Sequence, residues 1–343
     1  MLKPNNISPV KTRLSIYKDN FNSKQLYSLL IKMVEIRVAE SILASGRKNG
    51  LIKGPVHLSA GQEAIPAGVS FHLKSSDSIF GNHRSHGHLI ALKTNMFNFF
   101  SEVLARETGC SGGNGGSMHL IDKSIGFEGA VPIVAGTVSL SLGAALSHKL
   151  DNKKQISVCY IGDGAIEEGV VHECLNIASL MNLPIIFIVE NNFFASHMHI
   201  TQRQTNLFTS RFAKANNINF QIADGNNVLE VSTKFEILIK NARTKNKPGF
   251  LEAFTYRHYG HVDWRDDVDV GINRSLNDLD LWKKRDPIIS MFELIKKEKI
   301  TTESLNKIFY KIESEYSMLW GKALQEKPPK ISSLNKNILS KYD

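Results

Sequence analysis

Two polar turns, each directly after an apolar segment, carry the residues with the clearest chemical potential. Asp163 lies in the Gly-Asp-Gly turn that follows the apolar segment 156–161, and Asn192 follows the apolar segment 185–189. A carboxylate and an amide oxygen are the hard ligands that Mg²⁺ binds, with phosphate and water oxygens completing its octahedron. A helix expected from Ala165 onward would offer its N-terminal N–H groups to an anion. Together these features predict a site for a metal-bound pyrophosphate.

Histidines and a glycine-rich loop supply further candidates. His57 opens the segment HLSAGQEA, His83 and Arg84 open HRSHG, and His261 ends YRHYGH. Histidine side chains titrate near neutral pH and can hold or move protons. The segment GCSGGNGG at 109–116 has five glycines in eight positions, which excludes a regular helix or strand. We expect this loop to approach another group closely and, with the SMH that follows it, to face a cofactor.

The elements that must position these residues indicate an α/β fold with a mostly parallel sheet flanked by helices. The order strand 156–161, helix 165–182 and strand 185–189 is typical of a parallel crossover. Ligands of such sheets bind beyond the carboxyl ends of the strands, where both polar turns lie, so we expect the two turns to converge. Further helices are predicted at 23–44 (with Ser23 as N-cap), 135–150 and 277–325, and further strands at 220–223 and 250–256.

The ordered set of segments resembles one enzyme family. HLSAGQEA, HRSHG, GGNGGSMH, the Gly-Asp-Gly turn with the later Asn-Asn pair, and YRHYGH resemble the α subunit of the E1 component of 2-oxo acid dehydrogenase complexes, in its pyruvate and acetoin branch. The resemblance implies a pyrophosphate-type domain at 25–325 that binds thiamine diphosphate and Mg²⁺ and includes the C-terminal helices. It also implies decarboxylation of a small 2-oxo acid such as pyruvate. We expect 1–24 to be a loosely held arm and 326–343 to be a tail.

The resemblance assigns metal ligands and catalytic histidines by matching position. Asp163 and Asn192 would bind Mg²⁺ through their side chains, and Phe194 would bind it through its backbone carbonyl. His57 and His261 match the active-site histidines that help to position the cofactor, the intermediate and the acyl acceptor.

Cofactor-binding residues follow from the same match. Arg84 would bind the pyrophosphate, and Val134 would contact the aminopyrimidine through its backbone. His83 stands where the family often has a Tyr that also contacts phosphate. Asn192 and His261 are counted among the cofactor contacts as well. The remaining matched positions are small residues of the polar turn, namely Gly162, Gly164 and Ala165.

A second subunit is an implied partner. In this family a Glu that activates the pyrimidine comes from a β subunit, and this chain matches only the pyrophosphate half. We therefore expect the chain to be inactive alone and to work in an α2β2 heterotetramer with sites between chains. The acyl acceptor would be a lipoyl-bearing acyltransferase, a separate protein.

The segment after Asn192 departs from the family pattern. The run 193–204, FFASHMHITQRQ, contains two additional histidines, His197 and His199, for which substrate contact, solvent exposure and a metal pair stay open. Val262 follows His261 where the animal pyruvate enzymes carry a regulatory Ser, which excludes phosphorylation at that position. Two alternative functions stay open: a stand-alone carboligase that passes the acyl unit to another carbonyl, such as a keto sugar, and a non-catalytic subunit that retains the fold.

Composition and charge bound the remaining classes of protein. The chain has 343 residues, 42% of them hydrophobic and 22% charged, and its formal net charge is +9. Its apolar runs are too short to span a membrane. The basic residues are spread and form no aromatic-interleaved motif, so no nucleic-acid partner is expected. Three irregularly spaced cysteines and the lack of an apolar signal segment favour a cytoplasmic location. The excess of Lys and Arg over acidic residues in 1–20 leaves a transit peptide open as the alternative.

Overall fold

Helices and strands alternate along most of the chain, as expected for an α/β protein. The computed structural model describes residues 11–152, 154–262, 264–296 and 301–332. The α-helices of this part are α1 (Ser23–Lys48), α2 (Ala64–Ser70), α3 (His86–Ala91), α4 (Met96–Val103), α5 (Val138–Leu150), α6 (Gly169–Leu180), α7 (Ser210–Ala215), α8 (Val228–Lys245), α9 (Leu276–Lys283), α10 (Pro287–Lys296) and α11 (Thr302–Gln325). No helix in the described ranges is long and apolar enough to cross a membrane.

One six-stranded sheet forms the centre of the fold. The strands of the described chain are β1 (Ser78–Gly81), β2 (Phe127–Ala130), β3 (Ser157–Gly162), β4 (Ile185–Asn191), β5 (Phe194–Ala195), β6 (Met198–His199), β7 (Asn219–Asp224), β8 (Gly249–Phe254), β9 (Val268–Asp269) and β10 (Ile272–Asn273). The central sheet has the order β2-β1-β3-β4-β8-β7, and every pairing in it is parallel. The short pairs β5–β6 and β9–β10 are antiparallel. The predicted fold class is confirmed.

Helices cover both faces of the sheet, and strand residues alternate between two cores. Val158 and Tyr160 of β3 lie in the larger core with residues of α1, α2 and α8. Cys159 and Ile161 lie in the smaller core with residues of α5 and α6. Successive side chains of a strand point to opposite faces, so a strand covered on both sides becomes a continuous apolar run. Burial raises the pKa of the Cys159 thiol to about 12, which fits a small hydrophobic role.

The two polar turns meet at the carboxyl edge of this sheet. β3 and β4 are neighbours, and their register places Gly162 opposite Glu190. Asp163 directly follows Gly162, and Asn192 lies two residues after Glu190. The predicted convergence of the two turns is therefore confirmed, and it follows from the parallel pairing alone.

The helix predicted at 165–182 begins later than expected. Ala165–Glu167 forms one 3₁₀ turn, Glu168 is extended with ψ 136°, and α6 begins at Gly169. The predicted helix start at Ala165 is wrong because the extended backbone of Glu168 interrupts the helical hydrogen bonds.

One other helical prediction needs correction. α1 begins at Ser23, but its N-cap is Asn22, whose side chain forms a capping box with Gln25. The described residues of the segment 277–325 are helical as predicted and form the three helices α9, α10 and α11. Its first interruption precedes Pro287, because proline disfavours helical geometry in the residue before it.

The described part of the N-terminal arm is held against the domain. The Thr12 backbone N–H donates to the Asp224 carboxylate at 3.1 Å, and its hydroxyl accepts from the Asn227 amide at 2.9 Å. Tyr17 and Phe21 pack against the larger core. Residues 11–22 are thus not loosely held. Residues 1–10 and 333–343 lie outside the described ranges, and the boundaries 25–325 and 326–343 stay predictions.

The glycine-rich loop encloses a carboxylate. The buried Glu102 carboxylate accepts backbone N–H groups from four loop residues, Ser111 (2.6 Å), Gly113 (2.9 Å), Gly115 (2.7 Å) and Gly116 (3.1 Å). The predicted close approach is confirmed, but the approached group is Glu102. The expectation that this loop, with the SMH that follows it, faces a cofactor stays a prediction.

We predict that Glu102→Gln lowers the free energy of unfolding by about 3 kcal/mol. The amide nitrogen of Gln cannot accept, so about two charge-assisted hydrogen bonds to the loop are lost. Urea denaturation of the full chain measures the change. Glu107→Gln, on the exposed segment that follows α4, is the matched control and should stay within about 0.5 kcal/mol. Equal losses in both variants would contradict the role given to Glu102.

Candidate active site

A cavity of about 440 Å³ opens at the carboxyl edge of the sheet. All the residues predicted for the site line it: His57, His83, Arg84, Val134, Gly162, Asp163, Gly164, Ala165, Asn192, Phe194 and His261. The structure therefore brings the predicted residues into one enclosure, although they come from segments spread over some 200 positions. Their individual roles stay predictions.

Oxygen donors gather at one end of the cavity. The Asp163 side chain is buried, and its Oδ1 atom has no hydrogen-bond partner. Asn192 lies close by in the neighbouring turn, and its Oδ1 accepts from the Phe194 backbone N–H at 3.2 Å, while its amide donates to Gln62 at 3.1 Å. A buried carboxylate oxygen without a partner is unfavourable unless a ligand completes it. The donor set at this end suits a hard divalent cation.

The other carboxylate oxygen of Asp163 has a partner that sequence reasoning missed. The Arg203 guanidinium contacts Asp163 Oδ2 at 2.5 Å and also pairs with the Glu167 carboxylate. Burial raises the pKa of Asp163, and the adjacent Arg203 charge opposes that rise. Arg203 is the only Lys or Arg in the departing run 193–204. The sequence shows this positive charge, but it does not show that the side chain reaches the turn of Asp163.

Glycines keep the turn of Asp163 open and close to its neighbours. A Cβ atom at Gly164 would lie 2.6 Å from the Ala195 Cβ atom, so only glycine fits there without displacing β5. A Cβ atom at Gly162 would meet no protein atom within 4 Å, and a side chain there would take up cavity space. The two glycines thus have different functions, close packing and an open cavity.

Arg84 is a buried cation held by neutral groups. Its guanidinium donates to the Leu58 carbonyl at 2.6 Å and to the His261 carbonyl at 3.1 Å. Within the described ranges no carboxylate forms an ion pair with it. Burial is the main cause that lowers the pKa of Arg84, to about 9, and the nearby Arg257 charge lowers it further. A buried guanidinium without a counter-ion is suited to an anionic ligand.

Three histidines form a triangle in the cavity wall. The ring centroid of His57 is 4.7 Å from that of His83 and 4.9 Å from that of His261. The centroids of His83 and His261 are 5.4 Å apart. Burial, and then the Arg84 charge, lower the pKa of His57 and of His261 to about 2, and the same causes hold the pKa of His83 well below 6.5. All three rings are therefore neutral at pH 7.

A second buried pair supports the cavity wall. Glu190 lines the cavity, and its carboxylate meets His88 Nε2 at 3.1 Å. The His88 ring stacks on Tyr160, another wall residue, with centroids 3.8 Å apart. Glu190 directly precedes the Asn191-Asn192 pair, so its position at the end of β4 was the available signal for it.

The two additional histidines lie outside the cavity wall. His199 Nδ1 accepts from the Thr201 backbone N–H at 3.3 Å and caps a 3₁₀ turn, which is a structural role. His197 is exposed, and its charge is one of the smaller causes that lower the pKa of His261. Over the described ranges, the one cluster of three or more potential metal-binding side chains is formed by His57, His83 and His261.

Comparison with known proteins points to one family. The family described as "Dehydrogenase E1 component" matches residues 31–332. The α subunit of acetoin:2,6-dichlorophenolindophenol oxidoreductase from Bacillus subtilis (strain 168) is 39% identical over 232 residues, 68% of this chain and 70% of the relative. The pyruvate dehydrogenase E1 component subunit alpha of Porphyra purpurea is 31% identical over 329 residues, 94% of each chain. The mitochondrial pyruvate dehydrogenase E1 component subunit alpha of Dictyostelium discoideum is 30% identical over 318 residues, 92% of this chain and 83% of the relative.

We predict that Arg203→Ala raises the affinity of the cofactor-free chain for Mn²⁺ by about tenfold, or roughly 1.4 kcal/mol. The substitution removes the cation that competes for the Asp163 carboxylate. Titration at pH 8 followed by electron paramagnetic resonance measures free Mn²⁺. Arg211→Ala is the control, since Arg211 bonds to Gln204 and Phe208 instead of the cavity. Unchanged or weaker binding in Arg203→Ala would contradict the competition.

We predict that the chain loses stability as the pH falls below about 6.5, the ordinary pKa of histidine. The histidines with lowered pKa stay neutral in the folded chain but bind protons once it unfolds, so acid favours unfolding. His57→Gln should reduce the slope of unfolding free energy against pH by up to about 1.4 kcal/mol per pH unit. Urea titrations between pH 7 and pH 5 measure it. His172→Gln, whose ring packs on Phe212 outside the cavity, gives the comparison slope; equal slopes would contradict the prediction.

Proposed function

Since the chain belongs to the dehydrogenase E1 component family and is the α subunit of a thiamine diphosphate-dependent 2-oxo acid dehydrogenase, we propose that it serves the decarboxylation of pyruvate or a similarly small 2-oxo acid, with Mg²⁺ as its divalent metal. The observation that carries the proposal is the unpartnered, buried Asp163 Oδ1 beside Asn192 in a cavity that also holds Arg84. The same observation argues against a non-catalytic subunit, because all three groups share one cavity.

The residues present fit a metal-bound diphosphate. Asp163 and Asn192 would hold Mg²⁺ through side-chain oxygens, with the Phe194 carbonyl as a third protein ligand. Arg84 would bind the diphosphate, because in the described chain its guanidinium forms no ion pair with a carboxylate. Gly162, Gly164 and Ala165 line the same part of the cavity and let an anion approach the backbone closely. Val134 and His83 would complete the cofactor contacts.

The histidines would act on the substrate side. Bound thiamine diphosphate supplies the carbanion-stabilising chemistry of decarboxylation. His57 and His261 are neutral at pH 7, so each can donate a hydrogen bond through one nitrogen and accept a hydrogen bond at the other. His261 Nδ1 meets the Arg84 guanidinium at 3.3 Å, which leaves Nε2 for the ligand. These rings would orient the 2-oxo acid and hold a proton at its carbonyl oxygen.

A small substrate suits the residues of the cavity wall. Met118, two residues after the glycine-rich segment 109–116, and Pro132 both line the cavity. Because Glu102 holds that segment by four backbone N–H groups, Met118 is presented from a fixed loop. A fixed wall supports a short side chain on the 2-oxo acid.

The family implies a β subunit, and we propose that it covers the cavity in an α2β2 heterotetramer. Near the cavity mouth, Ile133 and Val134 are 72% and 55% exposed, and Leu140 of α5 is 57% exposed. Exposed apolar side chains that rim a cavity favour a partner surface. The acyl acceptor in this proposal is the lipoyl group of a separate acyltransferase.

We predict that CO₂ is released from pyruvate only when the chain is combined with its β subunit, thiamine diphosphate and Mg²⁺, and that 2,6-dichlorophenolindophenol stimulates the release. In that assembly Asp163→Asn should weaken cofactor binding by roughly 100-fold, because the metal loses a charged ligand. Isothermal titration calorimetry measures binding, and Asp280→Asn on the exposed face of α9 is the control.

Two outcomes would overturn parts of the proposal. Unchanged cofactor affinity in Asp163→Asn would contradict the metal site. A cofactor-loaded assembly that releases no CO₂ from pyruvate until a second carbonyl compound is added would replace the dehydrogenase with a carboligase.

A further inference from the structure

We propose that His57, His83 and His261 form a second metal site, which takes one late-transition divalent cation such as Zn²⁺ or Co²⁺ and is separate from the Asp163 site. The proposal rests on the geometry of the three imidazoles and goes beyond the function proposed above. One ring nitrogen from each histidine lies within 4.8 Å of the other two.

The distances are within reach of a coordinated ion. Zn–N bonds of about 2.0–2.1 Å in a tetrahedron require nitrogens about 3.4 Å apart. No pair therefore has to close by more than about 1.4 Å, a movement that rotation of the side chains supplies. His57 is only 8% exposed, and its Nδ1 atom has no hydrogen-bond partner. That nitrogen is therefore a buried polar atom to which a metal ion or another ligand could bind.

Arg84 is the neighbour that sets the strength of the site. The contact between its guanidinium and His261 Nδ1, at 3.3 Å, is the longest of its hydrogen bonds. If the His261 ring turns toward a metal, Arg84 still donates to the Leu58 and His261 backbone carbonyls. Its positive charge weakens cation binding, so the site is expected to be moderate in affinity. The three rings line the cavity, so the fourth coordination position is open to water or to a ligand.

The two ends of the cavity differ in the metal that they prefer. Three imidazoles favour Zn²⁺, Co²⁺, Ni²⁺ or Cu²⁺, whereas carboxylate and amide oxygens favour Mg²⁺ or Mn²⁺. A cation on the histidines would occupy the nitrogens that we propose to face the 2-oxo acid, so it would inhibit; this consequence, unlike the site itself, rests on the proposed function.

Cobalt provides a direct test on the full chain, expressed without a polyhistidine tag and kept free of cofactor. Titration with Co²⁺ should give the intense visible absorption of a four- or five-coordinate ion with nitrogen ligands, saturating at one ion per chain. Zn²⁺ should abolish the absorption, and excess Mg²⁺ should leave it unchanged.

Variants separate the histidine site from the oxygen site. His83→Tyr, which introduces the residue that the family often carries, should weaken Co²⁺ binding at least tenfold, and His261→Gln provides a second loss of ligand. Asp163→Asn and His172→Gln should retain the absorption. Circular dichroism verifies the fold of each variant. Absence of the absorption in the unaltered chain, or its retention in both His83→Tyr and His261→Gln, would overturn the proposal without affecting the Asp163 site.

Discussion

The structure depends on keeping opposite charges buried at the carboxyl edge of a parallel sheet. The Asp163 carboxylate and the Arg84 guanidinium are both almost fully buried, and they do not pair with each other. Removing a charged group from water costs several kcal/mol, even after relaxation of the surroundings. A site that holds an unpaired carboxylate oxygen and an unpaired guanidinium is complementary to a ligand that carries both signs of charge. A divalent cation bound to a diphosphate is such a ligand.

Residues of the chain lower this cost in three different ways. Arg203 neutralises Asp163 from a loop outside the sheet, so the carboxylate is half satisfied. Arg84 donates hydrogen bonds to two backbone carbonyls, which are neutral and leave its positive charge uncompensated. The histidines remain neutral because burial and Arg84 hold their pKa values far below 7. None of these three features removes the preference of the site for an ionic ligand, because each leaves a charge or a lone pair available.

How far the sequence predicts such a site depends on whether the contacts are local. Apolar runs with polar turns identified β3 and β4, and parallel pairing then required Asp163 and Asn192 to be neighbours. The family motifs identified eleven of the residues that line the cavity. The pairing of Arg203 with Asp163 joins positions 40 residues apart through a loop of irregular structure, and no local pattern specifies where such a loop folds back. Glu102 was missed for a similar reason, since a glycine-rich loop signals a close approach without naming the group approached. The break at Glu168 depends on one ψ angle that the helical pattern of 165–182 does not reveal.

The cavity is asymmetric, and this asymmetry fits the β subunit that the family implies. Its inner wall is built on strand ends and loops, where contacts within the chain hold oxygen donors, a guanidinium and imidazoles. Preorganised groups of this kind cost little reorganisation when the ligand arrives. On its outer side, α5 and the segment before it expose Ile133, Val134 and Leu140 to water. Water at that side would weaken every electrostatic interaction inside the cavity, because the effective dielectric constant rises. A second subunit that buries these apolar residues would therefore both gain hydrophobic contact and strengthen the charges that hold the ligand.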